Sequence, residues 1–279
     1  MSKEVRISEA LREGFGLTMA NFVTLFVMAI VYMAAFAAAY TGAYFLNHSV
    51  GNGAIIQTIT WGAKQLFDGW LRVGVILMLL HMCRGNHNDL ATMFKGFPYL
   101  LWYLVGTLLV SLLYILAFVP GLIAMVLCWL VMGISFAELQ ALPGAGLLNA
   151  WFTLVSEYGG FLILELVILG IAIIPPFYVS AVYFFVPYLI VDKGMKPLEA
   201  LQASAQITQG GRMGLINFMV VSSLLSILGF LALVIGLAIA IPVVFFATVS
   251  LYATLLRQTE HQLGHAIGGP GILNAEIES

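Results

Sequence analysis

Between Lys95 and Glu138 the chain carries no acidic or basic side chain, and the stretch is dense in Leu, Val, Phe and Tyr. About 20 apolar residues suffice to take a helix across the hydrocarbon core of a bilayer. Comparable runs recur on both sides of this one. A soluble domain keeps roughly a quarter of its residues charged, whereas here 9% of 279 residues are charged and 62% are hydrophobic. Most of the surface must therefore face lipid. Backbone amides cannot stay unpaired in hydrocarbon, which leaves helices or a closed barrel. The apolar runs are continuous rather than alternating, which argues against a barrel. The expected fold is all-α, a polytopic transmembrane helical bundle.

In chain order, residues 1–20 read as a cytoplasmic interfacial amphipathic helix. Ser8 is its N-cap, Glu9 and Glu13 stand early in the dipole, and Ile7, Leu11, Phe15 and Met19 share one face. Residues 21–257 form one transmembrane domain, and 258–279 form a mobile cytoplasmic tail. Asn21 to Leu46 is the first span, and Asn47 to Gly53 is a loop. Residues 54–66 form a surface helix, followed by a second span from Phe67 to Cys83. Phe97 to Val119 and Gly121 to Gln140 are two spans separated at Pro120-Gly121. Gly146 to Tyr158 is a further elbow helix. Phe161 to Ile174 and Phe177 to Val191 flank Pro175-Pro176, and Met213 to Ile235 and Ala238 to Leu256 complete the set.

Four segments place a short amphipathic helix directly before an apolar hairpin: SEALREGFGLTMANF, NDLATMFKGFPYL, LLNAWFTLVSEYGGF and PLEALQASAQITQGGRMG. Ala10, Ala91, Ala150 and Ala200 align. Four such units give eight spans. Six is the alternative, with residues 161–191 as one broken helix or a re-entrant pair. In the eight-span arrangement Lys3, Arg6, Arg12, Arg84, Lys95, Lys193, Lys196, Arg212 and Arg257 share one side, against Lys64 and Arg72 on or near the other. The positive-inside rule then puts both termini in the cytoplasm.

The N-terminus mixes charges of both signs without an apolar core before a small-residue site, unlike a cleavable signal peptide. With a net charge of -2 and no basic block, nothing points to a nucleic-acid partner. Cys83 and Cys128 show no disulfide-scaffold spacing.

Phe184 to Gly211, VPYLIVDKGMKPLEALQASAQITQGG with its preceding aromatics, resembles the signature of YciC-like bacterial membrane proteins. The membrane domain fused to some glycerophosphodiester phosphodiesterases is similar. In those proteins a span ends in an acidic-basic elbow followed by an Ala-x-x-x-Ser helix, here Ala200 and Ser204. A proline-glycine break such as Pro120-Gly121 and an N-terminus such as EALREGFGLTMANFVTLFV belong to the same pattern. The resemblance covers about two thirds of the chain. The extra elbow and hairpin between Ala141 and Val191 depart from it. The resemblance implies a bacterial inner-membrane location and no hydrolase activity, since the phosphodiesterase domain has no counterpart here.

Glu165, in FLILELVILG, is the sharpest candidate for function. An ionised carboxylate in hydrocarbon costs several kcal/mol unless it faces water, a cation or a partner. Asp68 and Arg72 stand four apart and suit an intrahelical ion pair near the outer end of the second span, anchoring that helix or, alternatively, binding a ligand. Lys193, Lys196 and Arg212 are placed to hold anionic headgroups beside the helix that opens at Pro197. His81, Cys83, His87 and Asp89 carry metal-capable atoms but fit no zinc template, and Glu260-His261-x-x-x-His265 is not the protease order. No catalytic constellation, cofactor motif or metal site emerges. Gly106, Gly133, Gly170, Gly229 and Gly236 would permit close helix packing. The expected protein is a non-enzymatic membrane component that organises lipids, itself or another membrane protein. The alternative is a transporter or flippase using Glu165.

Overall fold

The computed structural model describes residues 5–50, 53–85, 90–132, 159–160, 163–231 and 233–263. Among these, every regular element is helical. The order is α1 (Ile7–Ala20), α2 (Phe22–Val50), α3 (Ala54–Cys83), a 3-10 segment (Leu90–Gly96), α4 (Phe97–Met132), α5 (163–172), α6 (Ile174–Val182), α7 (Val186–Lys193), α8 (Pro197–Thr208), α9 (Arg212–Leu231) and α10 (Leu233–Leu263). Among the described residues, six stretches are long and apolar enough to cross a membrane, and they mark a multi-pass membrane protein: Phe22–Leu46, Ala54–Cys83, Ala91–Cys128, Ile163–Lys193, Arg212–Leu231 and Ala238–His261.

Several boundaries differ from those expected. Residues 54–66 are not a separate surface helix but the first half of α3, because nothing between Ala54 and Phe67 breaks helical bonding. The linker expected from Asn47 is helical as far as Val50. Pro120-Gly121 does not divide α4 into a pair of spans: the helix runs through it. Proline there removes one amide, leaving the Leu116 carbonyl without its usual donor, which a membrane helix tolerates. Residues 163–193 form three successive helical segments, interrupted at Ile173 and at Tyr183–Phe185, which is the broken-helix alternative. Pro175 and Pro176 fall in the first turn of α6, where their missing amides cost least. Helix α10 reaches Leu263. The expected elbow at 146–158, Gly133 and the tail from Gly264 lie outside the described residues.

The chain divides into two compact units, residues 1–109 with 181–279, and residues 110–180. The core of the first gathers the second half of α3 (Leu71, Val73, Met78, Leu79, Leu80), with Phe185 and Leu189, Ala200 and Ile207, and Phe246 and Tyr252. The 3-10 segment presses onto α3 at Gly74, where an added Cβ would stand 1.8 Å from the Met93 carbonyl oxygen. Helix α1 docks on α10 through Ala10, Gly14 and Thr18. A Cβ at Gly14 would approach the Val243 carbonyl to 2.6 Å. At Gly106, α4 meets α7, and the space for a side chain is taken by Ile190. Gly229 similarly faces Ala240 and Gly236, while no described residue closes on Gly170. In the second unit α4 and α5 touch at Gly121 and Ala172.

The elbow after α7 forms as its residues dictate. Gly194 takes a left-handed conformation (φ 65°) that ends α7. Pro197 opens α8, and Glu199 accepts the Lys196 amide at 3.3 Å.

Candidate functional site

Among the described residues, two polar clusters stand out in the first unit. The larger joins the ends of α3 and α7 to the C-terminal half of α10. Arg84 follows the last turn of α3, where a cation suits the negative end of the helix dipole. Its Nη2 donates to Asp192 Oδ1 at 2.7 Å, and the two side chains are 5% and 0% exposed. The second carboxylate oxygen accepts the Tyr252 hydroxyl at 3.0 Å. Beneath Asp192, Tyr252 lies in an aromatic layer with Phe185 and Tyr188, ring centroids 5.6 and 5.8 Å away. Beside it, Lys193 Nζ meets Glu260 Oε1 at 3.4 Å, with the lysine side chain fully enclosed.

Both oxygens of Asp192 are therefore occupied, but Arg84 is not fully used. Its Nε and Nη1 are buried and have no hydrogen-bond partner among the described residues. A buried ionic donor left unpaired is expensive.

The second cluster stands near the midpoint of α3. Arg72 Nε pairs with Asp68 Oδ2 at 2.8 Å, as the spacing predicts, and the Tyr32 hydroxyl from α2 donates to Asp68 Oδ1 at 2.9 Å. Because α3 begins at Ala54, this pair sits mid-helix, not at the outer end of a shorter span. The register agrees: α2 and α3 run antiparallel, with Tyr32 opposite Asp68 and the Tyr40 ring 4.5 Å from Lys64 Nζ. Between them an open apolar groove of about 320 Å³ is lined by Ala39, Gly42, Ala43, Ile59 and Ala63.

The remaining candidates do not converge. Glu165 lies in α5 of the second unit, with Oε1 enclosed and without a hydrogen-bond partner among the described residues. Lys193 is committed to Glu260, Lys196 is exposed at the start of α8, and Arg212 opens α9. Among the described residues no three His, Cys, Asp or Glu side chains are grouped to hold a metal. His87, Asp89 and His265 lie outside them.

Sequence reasoning did not bring out the Arg84–Asp192–Tyr252 cluster. Its members are 108 and 60 residues apart, and only the expectation that Arg84 and Lys193, the neighbour of Asp192, share one membrane face pointed to it. No family model, curated protein or solved structure matches the chain.

Proposed function

We propose that this is a YciC-like integral protein of the bacterial cytoplasmic membrane that binds and organises phospholipid, without catalysing a reaction. Both termini lie in the cytoplasm, since six crossings leave the nine basic residues named above on one side, as eight would. Its building unit is an elbow helix before an apolar helix pair, α1 before α2 and α3 and α8 before α9 and α10.

The observation that carries the reading is the breadth of apolar surface presented outward by α2, α4 and α9, including Val23, Met33, Leu108, Ile115, Leu228 and Phe230. Side chains of this kind, continuous along whole helices, are a contact surface for acyl chains or for a second membrane helix. The test is native mass spectrometry of the full chain extracted in mild detergent. A phospholipid class enriched over its abundance in the source membrane is the expected result. Bound lipid in the same proportions as the membrane would overturn the reading.

A second reading, transport or transbilayer lipid movement, draws on the enclosed Oε1 of Glu165, unpartnered among the described residues. In vesicles of phosphatidylglycerol and phosphatidylethanolamine, dithionite quenching of a fluorescent phospholipid distinguishes the two. Accelerated movement lost in Glu165→Gln would favour transport. Movement no faster than in protein-free vesicles would leave the lipid-organising reading standing.

A further inference from the structure

We propose that Arg84 is the anchor of a phosphate-binding site at the end of α3, taking the phosphodiester of a membrane phospholipid. The proposal rests on the lipid-binding reading and gives it a location. The guanidinium carries five N–H donors across three nitrogens. Among the described residues only Nη2 finds an acceptor, Asp192 Oδ1 at 2.7 Å, while Nε and Nη1 are buried and unpartnered.

The arrangement around it is that of a positioned ligand-holder rather than a closed ion pair. Asp192 is fully enclosed and is itself fixed by the Tyr252 hydroxyl at 3.0 Å, so it holds the guanidinium in one orientation. Lys193 is paired with Glu260 and does not compete for Asp192. The remaining donors need an acceptor-rich group, and an anionic one satisfies them best, because charge-assisted bonds are roughly twice as strong as neutral ones. Arg84 directly follows a membrane span, and Asp192 nearly ends another, which places the donors at the depth of headgroup phosphates. A free phosphate offers the same oxygens without the acyl chains.

Removing Arg84 alone strands Asp192 in a buried site, so that variant is not a clean test. The double variant Arg84→Gln/Asp192→Asn removes both charges at nearly constant shape, and circular dichroism with thermal melting establishes that it is folded. Wild type and double variant, as full chains in detergent, are titrated with dioleoyl phosphatidylglycerol, dioleoylglycerol and inorganic phosphate, with binding read by native mass spectrometry. Wild type is expected to prefer phosphatidylglycerol to dioleoylglycerol, and the double variant to bind phosphatidylglycerol roughly 10-fold more weakly, as loss of a charge-assisted contact predicts. Wild type binding inorganic phosphate as tightly as phosphatidylglycerol would assign the site to soluble phosphate. A folded double variant with unchanged phosphatidylglycerol preference would overturn the Arg84 site while sparing the lipid reading. No preference in either protein would overturn both.

Discussion

The Ser204 hydroxyl donates to the Val182 carbonyl at 2.9 Å, joining the elbow helix α8 to the break between α6 and α7. In an unbroken helix that carbonyl would accept the Val186 amide, but Val186 bonds to Tyr183 instead, at 3.2 Å. The Thr208 hydroxyl lies 3.3 Å from the same carbonyl, with the Ser204 carbonyl as its closer acceptor at 2.9 Å. The small residue in the Ala200-x-x-x-Ser204 pattern lets α8 approach, and the hydroxyl satisfies the backbone group that the bend exposes.

Ser204→Ala is therefore expected to lower stability by about 1–2 kcal/mol, the range for a buried polar group losing its partner. Ser204→Ala/Thr208→Val should lose more, because the Thr208 hydroxyl can then no longer turn from the Ser204 carbonyl to that of Val182. Thermal melts in detergent measure this. A double variant melting like wild type would show that the bend does not need its hydroxyls.

The Tyr32–Asp68–Arg72 cluster leads to a second expectation. Arg72→Ala leaves Asp68 with only the Tyr32 hydroxyl, near the middle of a span, and should destabilise by about 3 kcal/mol or more. Tyr32→Phe removes one neutral donor and should cost about 1 kcal/mol. Asp68→Asn/Arg72→Gln removes both charges and should be milder than Arg72→Ala alone. A double-mutant cycle showing additive effects would rule out coupling between the two side chains.

The sequence made visible what is local and periodic. Continuous apolar runs led to the spans, Gly194 and Pro197 marked the elbow, and a four-residue spacing located the Asp68–Arg72 pair. Two kinds of feature were hidden. Helix continuity through Pro120 depends on whether neighbouring groups tolerate a lost amide, and proline is a reliable stop only where water offers an alternative. Arg84, Asp192 and Tyr252 each lie beside or within an apolar span where nothing nearby pairs with them. Their partners arrive from elsewhere in the chain.

Gly74 offers a steric test of the packing between α3 and the 3-10 segment. A methyl there would meet the Met93 carbonyl oxygen at 1.8 Å, a backbone atom that cannot swing aside. Gly74→Ala should force the two elements apart and destabilise by about 1–3 kcal/mol or more. Gly16→Ala is the matched control: no described atom lies within 4 Å of its added Cβ. Inside a helix that change should be neutral or stabilising by up to about 1 kcal/mol. Equal melting shifts for the two variants would refute the close contact at Met93.

The Lys193–Glu260 pair separates removal of a charge from abandonment of one. Lys193 is fully enclosed and Glu260 is 18% exposed, so the two deletions are not equivalent. Glu260→Ala leaves an ammonium buried with its acceptor gone, which in comparable sites costs about 3–5 kcal/mol. Lys193→Met replaces the ammonium with an apolar side chain of similar reach and leaves the carboxylate at the partly exposed end of the pair, where water can take over. That variant should stay within about 1 kcal/mol of wild type, because the large penalty falls on a charge left buried, and the carboxylate left here is the partly exposed member of the pair. Glu260→Ala/Lys193→Met should recover most of the loss seen in Glu260→Ala. The recovery is the decisive measurement: if the double variant is as unstable as Glu260→Ala, the damage lies in lost packing around Glu260 and not in the stranded lysine.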